Sequence, residues 1–233
     1  VALPGRAACQ WRVKTWSNRC EESPWSAWQS FRTAAEFSPY RAVEEAVVQE
    51  EAVPVRVVRR ADGADFADFG KAAFGTVVLR FDSPPVAGRI AIALGECLAT
   101  ENTVERNPKG SIRFREIPLD LSPGCCEYRL EIPSDARNTS CPPAVPVPPG
   151  IGEILPFRYV EITGLSRPLS RAEIVRLDTF YPFCEPASAF TSSSPELDQV
   201  WELCRYSIKA TSPLGIYIDG DRERIAYEAD AYI

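Results

Sequence analysis

"GTVVLRFDSPPVAGRIAIALGE", residues 75–96, decides the fold class. Its first seven residues are largely β-branched, aliphatic or aromatic, the types that suit a pleated, half-buried surface. Asp82, Ser83, Pro84 and Pro85 then close the run, since proline brings no amide proton to a ladder and fixes its own φ. From Gly88 onward Ile90, Ile92 and Leu94 alternate with smaller residues, the period of two that points successive side chains to opposite faces. The same pattern recurs in "PVRVVRR" (54–60), "SIRFREIPL" (111–119), "CEYRLEI" (126–132), "FRYVEITG" (157–164) and "AEIVRLDTFYPF" (172–183). Short period-two segments punctuated by Gly, Pro and Asp predict a mainly β chain with an antiparallel β-sandwich over residues 54–183. Pro118, Pro133, Pro156 and Pro182 are placed at segment ends, where a strand tolerates proline.

The flanks read differently. Residues 1–53 form a tryptophan-rich segment, expected to belong to the sandwich or pack on it, and hold Trp11, Trp16, Trp25 and Trp28. Large aromatics commonly seal the edge of a core, and they also stack on sugar rings. Residues 41–52 suit a short helix or a strand. "CPPAVPVPPG" (141–150) has five prolines in ten residues and is expected as a long extended loop within the sandwich.

After a small, polar linker at 184–194 a helix begins. Ser194 is the N-cap, Pro195 occupies the first turn, and Glu196 and Asp198 place acids at the positive end of the dipole. Leu197, Val200, Trp201, Cys204 and Ile208 recur at helical spacing and predict one buried face. Residues 195–233 are thus expected to open a helical domain that this chain leaves incomplete.

Composition removes several functions. Thirty-two acids against 26 bases give a net charge of −6, and no block of Lys or Arg offers a surface for nucleic acid. No apolar run reaches the ~20 residues needed to cross a bilayer. The opening "VALPGRAACQWRVK" lacks the order of a signal peptide, and the cellular compartment stays open. The chain has no His, which removes Ser-His-Asp and Cys-His catalysis and imidazole metal sites. It has no Met either, which points to a processed terminus or a piece of a longer protein. The eight cysteines form no C-x-x-C, which argues against a zinc ribbon or thioredoxin-type motif. Their even count permits disulfides such as Cys9 with Cys20, but free buried thiols are the default, and no cofactor is expected.

The remaining chemistry concentrates in "GIYIDGDRERIAYEAD" (215–230), where an apolar run stops at Asp219 and charge follows. With a helix beginning near Arg222, Glu223, Tyr227 and Asp230 share one face. Carboxylates held by Arg222 and Arg224 can accept hydrogen bonds from vicinal hydroxyls. A solvated helix start with surface ion pairs accounts for the same pattern.

The segment "FTSSSPELDQVWELCRYSIKATSPLGIYIDGDRERIAYEADAYI" (190–233) resembles the start of the catalytic domain of α-L-rhamnosidases of glycoside hydrolase family 78. "DFGKAAFGTVVLRF" (68–81), "GECLATENTVERNPKGSIRF" (95–114) and "EILPFRYVEITG" (153–164) resemble the sandwich that precedes it. The resemblance implies an (α/α)6 barrel, of which this chain carries the first part, and inverting hydrolysis of terminal α-L-rhamnosides. It implies Glu223 as general acid. Asp219 and Asp230 would hold sugar hydroxyls and help keep Glu223 protonated, and Arg222 and Tyr227 would line the same subsite. Tyr227 stands where many members have Trp, and the loop from Asp219 to Glu223 is short. The water-activating Glu of the family falls outside these residues, so the chain alone is expected to be inactive. The expected partner is a rhamnose-containing glycoside; the alternative reading is a non-catalytic carbohydrate-binding sandwich.

Overall fold

The computed structural model describes residues 5–17, 21–33, 47–136, 144–218, 220, 221, 224 and 225. In chain order the strands are β1 (Ala8–Trp11), β2 (Gln29–Arg32), β3 (Val48–Ala52), β4 (Arg56–Arg59), β5 (Asp65–Arg80), β6 (Gly88–Gly95), β7 (Leu98–Thr100), β8 (Thr103–Val104), β9 (Phe114–Leu121), β10 (Glu127–Arg129), β11 (Leu155–Thr163) and β12 (Ile174–Phe180). One α-helix follows among the described residues, α1 (Pro195–Ala210). The chain divides into two compact units, Val1–Ala42 and Val43–Ile233.

In the larger unit β5 organises everything. Residues 65–68 pair with β4 on one side and β11 on the other. Residues 75–80 pair with β12 and β10. β11 also pairs with residues 73–75, so it follows β5 through the bend while the other neighbours change from β4 to β12 and β10. The strand thus passes from one layer to the other, as strands do at sandwich corners. β11, β6 and β9 extend the first layer, and β3 extends the second beyond β12. All of these pairings are antiparallel. Val77 and Leu79 from one layer meet Ile90, Ile92, Leu94, Phe157 and Ile162 from the other in a single buried cluster.

Two glycines make the crossing possible. Gly70 has φ +78, a left-handed conformation that costs glycine little, and its amide donates to the Asp68 carboxylate at 2.7 Å. At Gly75 any Cβ would stand 2.3 Å from the Leu177 carbonyl oxygen, so β12 lies too close for a side chain. Opposite the bend, β11 shifts register between Phe157 and Tyr159. The ladder breaks there, and side chains take up backbone groups. Arg176 donates to Lys71 O (2.9 Å) and Phe157 O (2.6 Å), and the Tyr206 hydroxyl donates to Ala72 O (2.8 Å).

The period-two reading holds for the sandwich, with differences at particular elements. Residues 65–74 belong to β5. Val48–Ala52 is a strand; residues 41–46 lie outside the described residues. Pro118 sits inside β9 and not at its end. β9 is the edge of its layer, so the missing amide costs no bond to a neighbour. Of the proline-rich loop, residues 144–150 are described. There Val145 and Val147, with Ile151, pack against a second buried cluster of Phe74, Ile154, Leu214 and Ile218, outside the inter-layer core.

Helix α1 begins at Ser194 and Pro195 as the sequence predicts. Its apolar face, however, is not buried: Leu197, Val200, Cys204 and Ile208 are exposed and Trp201 is partly covered. The helix meets the sandwich through its other side, by Tyr206 on Ala72 and Lys209 with Glu50 and Glu185. Phe190 covers part of the stripe, its ring 5.6 Å from that of Trp201. The six described cysteines are unpaired, and none is buried, because each lies in a loop, on an edge or on the outer face of α1. Among the described residues no helix is long and apolar enough to cross a membrane.

The smaller unit is a hairpin. β1 pairs with β2, and Trp16 bridges to Glu22. Trp11, Trp16, Trp25 and Trp28 are about half exposed. The Arg12 guanidinium stacks 4.3 Å from the Trp25 ring and 4.5 Å from Trp28. The Lys14 ammonium lies 5.7 Å from Trp25 and 5.9 Å from Trp16. Cations and indoles alternate, and the attraction of a cation for a ring face orders the hairpin.

One buried carboxylate makes the larger unit acid-sensitive. Glu173 accepts both Arg167 terminal nitrogens and the amides of Ser170 and Asp82. The Arg167 guanidinium first, then these amides, hold its pKa down to about 2. A depressed folded-state pKa stabilises above the unfolded value and loses that contribution as pH falls through the folded one. Allowing for solvent around the half-exposed Arg167, Glu173→Gln costs on the order of 1–2 kcal/mol at pH 7. Urea midpoints of both proteins should converge as pH falls from about 4.5 toward 2; a gap unchanged with pH would contradict this.

Candidate active site

Asp219, Arg222, Glu223, Tyr227 and Asp230 all lie outside the described residues. Their neighbours do not. Leu214 and Ile218 are buried with Phe74 and Ile154, while Tyr217 between them in the run is exposed. Ile218 N donates to Thr211 O at 3.0 Å, and Tyr181 N to Ser212 O at 2.9 Å. The segment is thus tied to the end of α1 and to the residue after β12. The apolar run seats the chain directly before Asp219, as the sequence implies.

Asp221 and Arg224 are deeply buried, which removes the solvated surface pairing for these two residues. Arg224 Nε donates to Asp221 Oδ1 (2.7 Å), Nη1 to Glu153 Oε1 (2.6 Å) and Nη2 to Ile154 O (2.7 Å). Its own carbonyl accepts from Val145 N at 2.9 Å. Arg113 reaches Asp221 from the other side, with Nε 3.0 Å from Oδ2 and Nη2 donating to Asp221 O. Burial pushes the Asp221 carboxyl up from its ordinary value, against the pull of both guanidiniums. Arg224 has φ +50, which a right-handed helix does not allow. No helix therefore runs through Arg224 itself, while Glu223, Tyr227 and Asp230, the residues expected to share one face, lie outside the described residues.

Beside this network lies a cavity of about 280 Å³ bounded by Phe74, Glu96, Ser111, Thr211, Gly220 and Asp221. Its volume is near the lower end for small-ligand sites. Glu96 accepts the Arg113 amide, and Glu96 N donates to Arg113 O at 3.3 Å. Burial, followed by the Asp221 charge, raises the Glu96 pKa against the Arg113 amide. Among the described residues no group of three or more Cys, Asp or Glu is placed to hold a metal. Charge pattern marks the segment that holds Asp221, but Glu96, Arg113 and Glu153 have no such signal. Arg113 and Asp221 are brought together from 108 residues apart.

No protein-family model matches the sequence. No curated protein sequence matches it. Solved structures do. With 88% of this chain covered, it superposes on the Streptomyces avermitilis α-L-rhamnosidase complexed with L-rhamnose at TM-score 0.54 and 17% identity. It superposes on the Dictyoglumus thermophilum α-L-rhamnosidase at 0.58 and 16%, and on the native Aspergillus terreus α-L-rhamnosidase at 0.54 and 19%. It covers 18%, 21% and 22% of those chains respectively, and so spans about a fifth of their length. Over that 88% the chain carries the fold found in the matching part of these α-L-rhamnosidases.

Proposed function

We propose that this chain is the sandwich and the opening of the catalytic domain of an inverting α-L-rhamnosidase. One observation carries the reading: a fold shared with α-L-rhamnosidases leads directly into the segment Asp219, Glu223, Asp230. Glu223 is the general acid that protonates the leaving oxygen. Asp219 and Asp230 hold sugar hydroxyls, and Arg222 and Tyr227 line the same subsite. Inversion needs a second carboxylate, about 6.5–9.5 Å from the acid, to activate water. That group comes from outside these 233 residues, and the chain alone does not turn over. The apolar face of α1 is covered by the rest of the helical domain. No cofactor takes part.

A purely sugar-binding role draws on the exposed tryptophans, but Arg12 and Lys14 lie over the indole rings a sugar would stack on. The test is a proton NMR time course of an aryl α-L-rhamnoside with the whole protein. β-L-rhamnose appears first if the reading holds. α-L-rhamnose first would mean retention, and no hydrolysis would return the chain to a binding role.

A further inference from the structure

Two buried arginines converge on one carboxylate at the start of the acidic segment. A buried charge is costly unless paired and fully hydrogen-bonded, and here the pairing is balanced: Arg113 and Arg224 against Asp221 and Glu153. The partners come from three places in the chain. Arg113 immediately precedes β9, Glu153 lies two residues before β11, and Asp221 and Arg224 follow Ile218. Arg224 uses Nε, Nη1, Nη2 and its carbonyl in this one arrangement. Its left-handed φ of +50 is uncommon for a residue with a side chain, and such conformations persist where surrounding contacts over-determine them. Between the two clamped positions the chain has only Arg222 and Glu223.

We propose that Arg113 is a positioning residue for the glycosidase site: through Asp221, and with Arg224 on Glu153, it fastens the acidic segment to the sandwich and so sets where Glu223 stands. The inference rests on the functional reading above, and it makes the sandwich part of the catalytic apparatus. Arg113 touches no substrate. Its loss removes the link from Asp221 to the start of β9 and leaves Asp221 to Arg224, and proton donation by Glu223 suffers more than sugar binding does.

The experiment compares Arg113→Met, Arg113→Lys and wild type in the whole protein. Two α-L-rhamnosides are used, one with a 2,4-dinitrophenyl leaving group that needs little protonation and one with an alkyl leaving group that needs it fully. With Arg113→Met, kcat on the alkyl rhamnoside should fall by ~100-fold or more, and on the dinitrophenyl rhamnoside by less than ~10-fold. Arg113→Lys should recover part of the alkyl activity. Amide hydrogen exchange within 215–230 should accelerate by ~10-fold or more, with the β-strands unchanged. Equal losses on both substrates would reduce the role to stability and overturn the proposal, as would wild-type kcat with wild-type exchange. If wild type cleaves neither rhamnoside, the functional reading fails. Exchange then decides the clamp separately: faster local exchange keeps it, and unchanged exchange removes it.

Discussion

Arg176→Ala should destabilise the sandwich by about 3–5 kcal/mol, the range for stripping a buried ion pair of one member. Arg176 is almost wholly buried beside β5. It pairs with Asp178 through Nε and Nη2, the latter at 3.0 Å, and lies over the Phe69 and Phe157 rings at 4.9 and 5.4 Å. Its loss leaves Asp178 buried without that partner and returns the Lys71 and Phe157 carbonyls to an apolar surrounding. Burial already pushes the Asp178 carboxyl up, so it takes up a proton more readily without the guanidinium. The double variant Arg176→Met with Asp178→Leu separates the contributions. Removing both charges should restore part of the stability, and the rest stays lost because the two carbonyls still have no donor. Urea unfolding at pH 7 reads all three proteins. A wild-type midpoint for Arg176→Ala would mean that the layer crossing holds without it.

The second large effect belongs to chemistry. In the whole protein, Glu223→Gln should lower kcat on a rhamnoside with a poor leaving group by ~10²–10⁴, the usual share of a general acid. KM should change little, since the amide keeps the shape and the hydrogen-bonding reach. The loss should shrink for a dinitrophenyl leaving group, which departs without a proton. The alkaline limb of the pH profile should also disappear, because it reports the acid losing its proton. Equal losses for every leaving group would move Glu223 from acid to binding residue.

How legible this was depended on the range of the interaction. Alternation such as Ile90, Ile92, Leu94 reports burial of one face, and Ser194-Pro195 reports a helix start; both signals sit within a few residues. The crossing in β5 was hidden because "DFADFGKAAF" carries a glycine and three alanines, which weaken the strand pattern where the strand must bend. The apolar stripe of α1 was read correctly as a stripe but wrongly as buried, since periodicity shows that a face is apolar and not what covers it. The stacking of the tryptophans with Arg12 and Lys14 was hidden because those cations count only as charge in a sequence. In the acidic segment, charge pattern marked the region yet missed Arg113 and Glu153, whose part depends on sandwich loops returning to Asp221 and Arg224. The helix expected from Arg222 failed at one residue, Arg224, whose backbone geometry three side-chain bonds and a carbonyl contact hold in place.

The most direct test of the account is release of p-nitrophenol from p-nitrophenyl α-L-rhamnopyranoside by the whole protein and by residues 1–233 alone. The account predicts turnover by the whole protein and none by the 233-residue chain. Turnover by the chain alone, or none by a folded whole protein, would contradict it.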